Sequence, residues 1–134
     1  GTAATARGAT DETSTDSCGI RPGAASASAT PLAFGHHPRA GHPRRDALAI
    51  VGRHCADLGL PAPVCVAFGP DSRLTGAAPV AAYRQGRIGA RWRGQFLAHV
   101  ELEFAEPVAG PLVLGAGRHF GLGLLRPLKD RRSA

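Results

Sequence analysis

The chain has 134 residues, enough for one domain with a modest core, and its 18 glycines and 11 prolines predict many loops. Its formal net charge is +6, and 15 of its 16 cationic residues are arginines, which favours nucleic acid over a membrane as the binding partner. No apolar run is long enough to span a membrane, which argues against a membrane protein.

The first 28 residues are mainly Ala, Thr, Ser and Gly and show no apolar period. Such a composition does not repay the entropy of ordering, so residues 1–28 are predicted to be a disordered tail or linker. Residues 29–134 are predicted to form the folded domain. Its first strand is expected at residues 29–34, where Pro31 is acceptable in a strand at a sheet edge.

A loop rich in histidine and arginine follows at residues 35–45. Its titratable and cationic side chains are His36, His37, Arg39, His42, Arg44 and Arg45. The histidines are interpreted as metal ligands, as solvated surface residues, or as a proton-transfer site beside phosphate that the three arginines hold. No acid or cysteine completes a metal set, so no metal is predicted.

Apolar residues then recur at spacings of three, four and three, which predicts one helix with a single buried stripe. The stripe consists of Leu48, Val51, Cys55 and Leu58. Asp46 is predicted to cap the start of this helix, and Gly59 is predicted to end it. A strand is predicted next, at residues 63–68.

Residues 70–95 show no clean period, and basic residues are interleaved with Trp92 and Tyr83. Arginine pairs with phosphate and a ring stacks on an unpaired base, so Arg91 and Arg93 are predicted to bind RNA. A solvated basic hairpin is the alternative.

Residues 96–104 alternate between apolar and polar side chains, which predicts a half-buried strand with His99, Glu101 and Glu103 on its second face. A short apolar segment and a last strand follow. The order of elements predicts an α+β fold, the ferredoxin-like (RRM-like) βαββαβ plan, with the second helix reduced to a turn at most at residues 106–114.

A glycine-rich segment precedes the last strand. It contains Gly115, Gly117, Arg118, His119, Gly121 and Gly123. Glycine lets the backbone approach a ligand closely, and the two side chains suit an anion, so this segment is predicted to bind phosphate. The third glycine and the following helix of a dinucleotide-binding turn are missing. A glycine-rich hairpin without a ligand is the alternative.

The three cysteines, Cys18, Cys55 and Cys65, are odd in number and have no C-x-x-C spacing. Neither a disulfide framework nor a zinc finger is therefore predicted. A reducing compartment fits this cysteine usage, and no signal peptide is visible, so a cytoplasmic location is expected.

About three quarters of the chain resembles the carboxyl-terminal half of the repeat-processing endoribonucleases of CRISPR-Cas systems, the Cas-six group. The likeness is strongest to the fused form of type I-U (I-G) systems, the Csb-two family, in which the nuclease follows a Cas-five-like half. The matching segments are residues 29–32 leading to 37–39, residues 54–64, residues 99–108 and residues 110–123. The last segment is the most specific of them.

The resemblance implies metal-independent cleavage of the CRISPR repeat without a cofactor, in which a 2′-hydroxyl attacks the adjacent phosphate and leaves a 2′,3′-cyclic phosphate. It implies His37 as general base or acid. It implies that His119 and Arg118 bind the scissile phosphate, or that His119 is the second proton-transfer group. The four loop glycines would supply backbone donors and room for the RNA stem.

The partners implied by the resemblance are the repeat stem-loop, the backbone and large subunits of the effector complex, and the Cas-five-like half. A non-catalytic RNA-binding subunit that caps the complex is the second hypothesis. It needs the same arginines and glycines, but neither His37 nor His119. A metal-dependent nuclease is a third hypothesis, which the lack of clustered Asp or Glu disfavours.

Overall fold

A computed structural model describes residues 18, 24–87, 92 and 94–128. Its strands and helices are β1 (Ala25–Ser28), β2 (Leu32–Ala33), α1 (Pro43–Asp57), β3 (Pro63–Gly69), α2 (Val80–Ala82), β4 (Leu97–Phe104), β5 (Leu112–Val113) and β6 (Leu124–Leu128). A π-helical turn, Tyr83–Arg87, follows α2, and a 3-10 turn, Arg118–Phe120, lies between β5 and β6. The chain is therefore α+β, as predicted.

The strands form one antiparallel sheet. Strands β1 and β2 both pair with the same edge of β4, so together they act as one interrupted strand, while β3 pairs with the other edge. Strand β6 pairs with β1, and β5 pairs with β6. Counting β1 and β2 as one, this order and orientation are consistent with the ferredoxin-like plan. Residues 105–123 contain β5 and the 3-10 turn where that plan has its second helix.

Helix α1 covers one face of the sheet. It begins at Pro43, a residue favoured in the first helical turn, and buries Ala47, Val51 and Cys55. It ends at Asp57, and Gly59, which was predicted to end it, follows the C-cap residue with a φ of +76° that suits glycine. Leu58 is 41% exposed, so the predicted stripe stops one turn early. No described helix is long and apolar enough to cross a membrane.

Asp46 does not cap α1 as predicted. His42 occupies the N-cap position without a side-chain capping bond, and Asp46 lies inside the first turn. There its carboxylate accepts hydrogen bonds from the backbone N–H and the guanidinium of Arg39. A charged partner in the preceding loop therefore binds the carboxylate that the sequence pattern assigned to a cap.

The first strand begins earlier than composition predicted. Strand β1 is buried at all four positions and pairs with both β4 and β6 in the middle of the sheet. Its residues 25–28 were predicted to belong to the disordered tail, and for them the prediction is wrong. Residues 1–17 and 19–23 lie outside the described residues.

One disulfide is present, contrary to the prediction from cysteine number and spacing. Cys18 is bonded to Cys65 of β3, with their Cα atoms 6.0 Å apart, while Cys55 is free and buried. The two partners are 47 residues apart, and the fold rather than a local motif brings them together. The bond also removes the main cysteine argument for a reducing compartment.

The second face of β4 is buried, although its alternation predicted an exposed polar face. His99 Nε2 lies 2.7 Å from the Ala78 carbonyl oxygen, and its Nδ1 lies 2.8 Å from Ser28 Oγ. Glu101 accepts a hydrogen bond from the Cys18 N–H and pairs with Arg73 at 3.1 Å. The polar side chains that suggested a solvent-exposed face instead bind side chains and backbone groups of other segments.

His99 is expected to make the fold sensitive to acid. Burial lowers its pKa below the usual value near 6.5, despite opposing contributions from Ala78, Ser28 and Asp71. A histidine with a lowered pKa in the folded state contributes stability above about pH 6.5, and that stability is lost as the pH falls towards the folded pKa. We therefore expect the Tm to drop between about pH 8 and pH 5.5.

The matched variant is His99→Gln, which keeps a hydrogen-bonding amide but cannot be protonated. Its Tm should depend less on pH than that of the wild-type protein, whereas removal of an exposed histidine, His42→Gln, should leave the dependence intact. The Asp46 carboxyl does not contribute to the change in Tm over this pH range. Its pKa is lowered from 3.8 to about 2, and both values lie well below about pH 5.5. Parallel pH curves for wild type and His99→Gln would show that His99 is not the cause.

Candidate functional site

Most of the predicted site residues lie on two loops that adjoin the end of β2. On one side of this strand end lies the start of β4, where the Phe34 N–H donates to the Phe96 carbonyl oxygen at 3.1 Å. On the other side lies the segment 114–123, which we call the glycine loop. The Ala116 N–H donates to the Ala33 carbonyl oxygen at 3.1 Å. The glycine loop thus lies beside β2 on the edge opposite β4.

The segment 35–42, which we call the histidine loop, leaves the end of β2. Gly35 has a φ of +86°, a conformation that glycine adopts readily, and it turns the chain out of the sheet. His36 and His37 are exposed. The ring of His37 lies edge-on to Phe96 with centroids 5.2 Å apart. Phe96 in turn packs against Phe34, so a buried aromatic cluster supports His37.

The Arg39–Asp46 pair ties the histidine loop to α1. Arg39 Nε and the backbone N–H of Arg39 both lie 2.8 Å from Asp46 Oδ2, and Nη2 lies 3.0 Å from Oδ1. The hydrogen bond from the Arg39 side chain is the main reason that the pKa of Asp46 falls to about 2. Arg39 was predicted to bind RNA, but two nitrogens of its guanidinium donate hydrogen bonds to Asp46 within the protein.

Arg44 and Arg45 are exposed in the first turn of α1. The N-terminus of a helix already carries partial positive charge, and cations there disfavour the helix by about 0.3–1 kcal/mol each. Asp46 offsets part of this cost. The two arginines raise the local positive potential at the end of the sheet where the histidine loop lies, which suits an anionic ligand.

The glycines of the glycine loop serve internal packing at three of four positions. A Cβ on Gly115 would lie 2.9 Å from the Ala33 carbonyl oxygen, and one on Gly117 would lie 2.6 Å from Leu122 Cδ1. The Gly123 N–H donates to the Pro31 carbonyl oxygen at 2.7 Å, so it is not a free donor for a ligand as predicted. A Cβ on Gly121, in contrast, would meet open space.

The tip of the glycine loop is the 3-10 turn Arg118–Phe120. Arg118 Nη1 donates to the carbonyl oxygen of Gly115 at 3.3 Å, and His119 is exposed. Phe120 is 59% exposed, and its ring lies 5.7 Å from that of Trp92. The tip therefore presents a cation, an imidazole and an aromatic ring in consecutive positions.

The two loops share one end of the sheet, but they lean towards different faces. His37 packs on Phe96, which belongs to the core beneath α1, whereas Phe120 packs on Trp92, whose cluster with Ala33 lies on the other face. In the part of the chain that the structure describes, no hydrogen bond or ring contact joins His37 to His119. The predicted pair is thus brought to the same end without direct contact.

In the basic segment before β4, Arg84 binds the backbone of the protein. Arg84 donates to the carbonyl oxygens of Trp92 at 3.3 Å and Gln95 at 2.8 Å, which fixes the turn leading into β4. Arg91 and Arg93, predicted to bind RNA, lie outside the described residues. No grouping of three or more His, Cys, Asp or Glu able to hold a metal occurs within the described ranges.

Sequence reasoning missed a cavity of about 340 Å³ between α1 and the start of the histidine loop. Its lining includes Phe34, His36, Arg53 and His54. His54 Nε2 lies 3.1 Å from the carbonyl oxygen of Phe34, which joins the helix to the end of β2. His36 and His54 are 18 positions apart, so no local spacing indicated that they line one cavity.

In comparisons with known proteins, the chain matches one protein family. A family model described as CRISPR-associated protein, GSU0054 family, matches residues 22–127. No curated protein and no solved structure matches the chain. The matched range covers more than half of the chain and includes α1, the histidine loop and the glycine loop.

Proposed function

Because the chain belongs to the GSU0054 family of CRISPR-associated proteins and so acts in a CRISPR system, we propose that it is an endoribonuclease that matures CRISPR RNA. Its substrate is the repeat stem-loop of the precursor RNA. It cuts without a metal ion and stays on its product as a subunit of the effector complex. The observation that carries this proposal is the convergence of the histidine loop and the glycine loop on the end of β2.

The charge distribution supports RNA as the ligand. Arg44, Arg45 and Arg118 lie on the elements that meet at this end of the sheet, and the chain as a whole has a formal charge of +6. Each phosphate that an arginine neutralises releases counterions, so binding should weaken steeply with salt. Phe120 adds an exposed ring at the same end, and an aromatic ring can stack on an unpaired base.

The chemistry requires two proton transfers. A base takes the proton from the 2′-oxygen, which attacks the neighbouring phosphorus, and the bond to the 5′-oxygen breaks. An acid protonates that oxygen, leaving a 2′,3′-cyclic phosphate on one product and a 5′-hydroxyl on the other. We assign one transfer to His37. Arg118 stabilises the charge on the phosphorane, and His119 either assists Arg118 or performs the second transfer.

The second candidate is a non-catalytic subunit that binds the repeat hairpin and caps the effector complex. One observation favours it: in the described part of the chain, no hydrogen bond or ring contact joins His37 to His119. Under this candidate the same basic surface holds RNA, and another subunit cuts it. The Cas-five-like half and the backbone and large subunits are its proposed partners.

Incubation of repeat RNA with the protein in excess EDTA separates the candidates. We expect cleavage at one position, with a product end that resists phosphatase until acid opens the cyclic phosphate. Binding without cleavage would support the capping subunit. Cleavage that EDTA abolishes and Mg²⁺ restores would indicate a metal-dependent nuclease and contradict the proposed mechanism.

A further inference from the structure

The cavity beside α1, which we call the α1 pocket, has its own ligand chemistry. Its floor is apolar, formed by Ile50 and the buried Phe34. Its polar lining comes from His36 on the histidine loop and from Arg53, His54 and Asp57 on α1. A volume of about 340 Å³ lies at the lower end of the range for small-molecule sites. The pocket therefore suits one small ligand with an apolar part and a charged part.

The polar side chains that line the pocket are not paired with each other in the described part of the chain. Arg53 and Asp57 are exposed and four residues apart on α1, yet no ion pair joins them in the described part of the chain. The carbonyl oxygen of Phe34 can only accept, so His54 Nε2 carries a hydrogen and Nδ1 remains free to accept or donate. A cation, two imidazoles and a carboxylate thus line one apolar floor.

We propose that the α1 pocket binds one unpaired nucleotide of the RNA, next to the cleaved phosphate. The base lies on the floor of Ile50 and Phe34, with its amino and imino groups facing Asp57 and His54. The phosphate of that nucleotide lies against Arg53 and His36. A nucleotide matches this lining because it combines a flat, weakly polar base with one localised negative charge.

The position of the pocket indicates which nucleotide of the RNA it would bind. His36 lines the pocket, and His37, the next residue, is the proposed proton-transfer group. A strand whose scissile phosphate lies at His37 has its neighbouring nucleotide within reach of the pocket. The identification of the ligand as RNA rests on the proposed function, whereas the nucleotide chemistry of the lining does not. The pocket would contribute to the choice of cut site.

The test fills the pocket with a bulky side chain. Ala49 is exposed and lines the pocket, so Ala49→Trp should block it without disturbing the core. Ala56→Trp is the matched control, because Ala56 is exposed on the same helix but does not line the pocket. Contact with one base is typically worth about 1–3 kcal/mol, so we expect Ala49→Trp to weaken binding of repeat RNA by about 5-fold to 150-fold.

Abasic scanning identifies the nucleotide that binds. One abasic substitution beside the cut should weaken binding to the wild-type protein by a similar factor and cause no further loss in Ala49→Trp. If Ala49→Trp and Ala56→Trp bind the repeat equally well, the pocket proposal is overturned, while EDTA-resistant cleavage would leave the proposed function standing.

A second measurement keeps the two proposals separate. Adenosine 5′-monophosphate is titrated into the protein, and the imidazole NMR signals of His54 are followed. Saturable shifts that Ala49→Trp removes would support the pocket even if repeat RNA is never cut. Absence of any shift, together with unchanged RNA binding in Ala49→Trp, would eliminate it.

Discussion

Replacement of His37 by alanine is expected to lower the single-turnover rate of repeat cleavage by at least a hundredfold while RNA affinity stays nearly unchanged. General acid–base catalysis typically contributes about 10²–10⁴-fold, so the loss of one proton-transfer group should fall in this range. The imidazole is exposed, and its one described ring contact is with Phe96. Rates are measured with protein in excess over RNA, and affinity is measured by filter binding.

Two further variants test whether the loss is chemical. His37→Phe keeps an aromatic ring against Phe96 but has no titratable nitrogen, and it should lose as much activity as His37→Ala. His42→Ala removes an exposed histidine from the same loop and should cleave normally. Normal cleavage by His37→Phe would mean that the ring supports the loop and takes no part in proton transfer.

A modified substrate separates the acid from the base. A bridging sulfur in place of the 5′-oxygen makes a better leaving group that needs little protonation. If His37 is the general acid, this substrate should restore much of the rate in His37→Ala. If His37 is the base, the defect should persist, and the same substrate should then be tried with His119→Ala.

The elements with a strong apolar period were predictable from the sequence. Helix α1 and strand β4 follow apolar spacings that favour one local structure, and β3 was predicted as a short β-type run bounded by turn residues. Gly59 follows the end of α1, where the chain adopts a positive φ. Their order was enough to predict the α+β class. The exposed loop that carries His37 was also predictable, since prolines and glycines surround it.

The remaining elements depend on tertiary partners. Strand β1 consists of alanine and serine, which resemble a linker in composition, and only its neighbours β4 and β6 make it the middle of the sheet. The polar face of β4 looks solvent-exposed in the sequence, but Cys18 and the segment carrying Ala78 cover it. The disulfide also depends on the fold, because its two cysteines are 47 residues apart in the chain.

The candidate site, like the fold, has features that the sequence predicted and features that depend on tertiary contacts. The residue types of the histidine loop and the glycine loop predicted an anion site, and the fold brings these two loops to one end of the sheet. The detailed roles were not predictable. Asp46 binds Arg39 because the loop folds back on α1, and the glycines at 115 and 117 are required by Ala33 and Leu122. Such contacts have no signature in local spacing.

Gly123→Ala is expected to destabilise the protein more than any other glycine-to-alanine change in the glycine loop. Gly123 has a φ of +77°, which costs an L-residue about 1–2 kcal/mol. A Cβ there would also overlap the backbone carbonyl of Leu114, a residue whose N–H donates to the Gly123 carbonyl oxygen and is held close to it. Overpacking typically adds about 1–3 kcal/mol. The sum is about 2–5 kcal/mol, measured by urea unfolding.

Gly121→Ala is the matched control, because Gly121 has a similar φ of +86° but open space around the added Cβ. It should lose only the backbone term of about 1–2 kcal/mol. The difference between the two variants therefore isolates the overlap with Leu114. Equal destabilisation would mean that the loop relaxes around the new methyl group. In that case the glycine loop would not be the rigid support that holds Arg118 and His119 beside the end of β2.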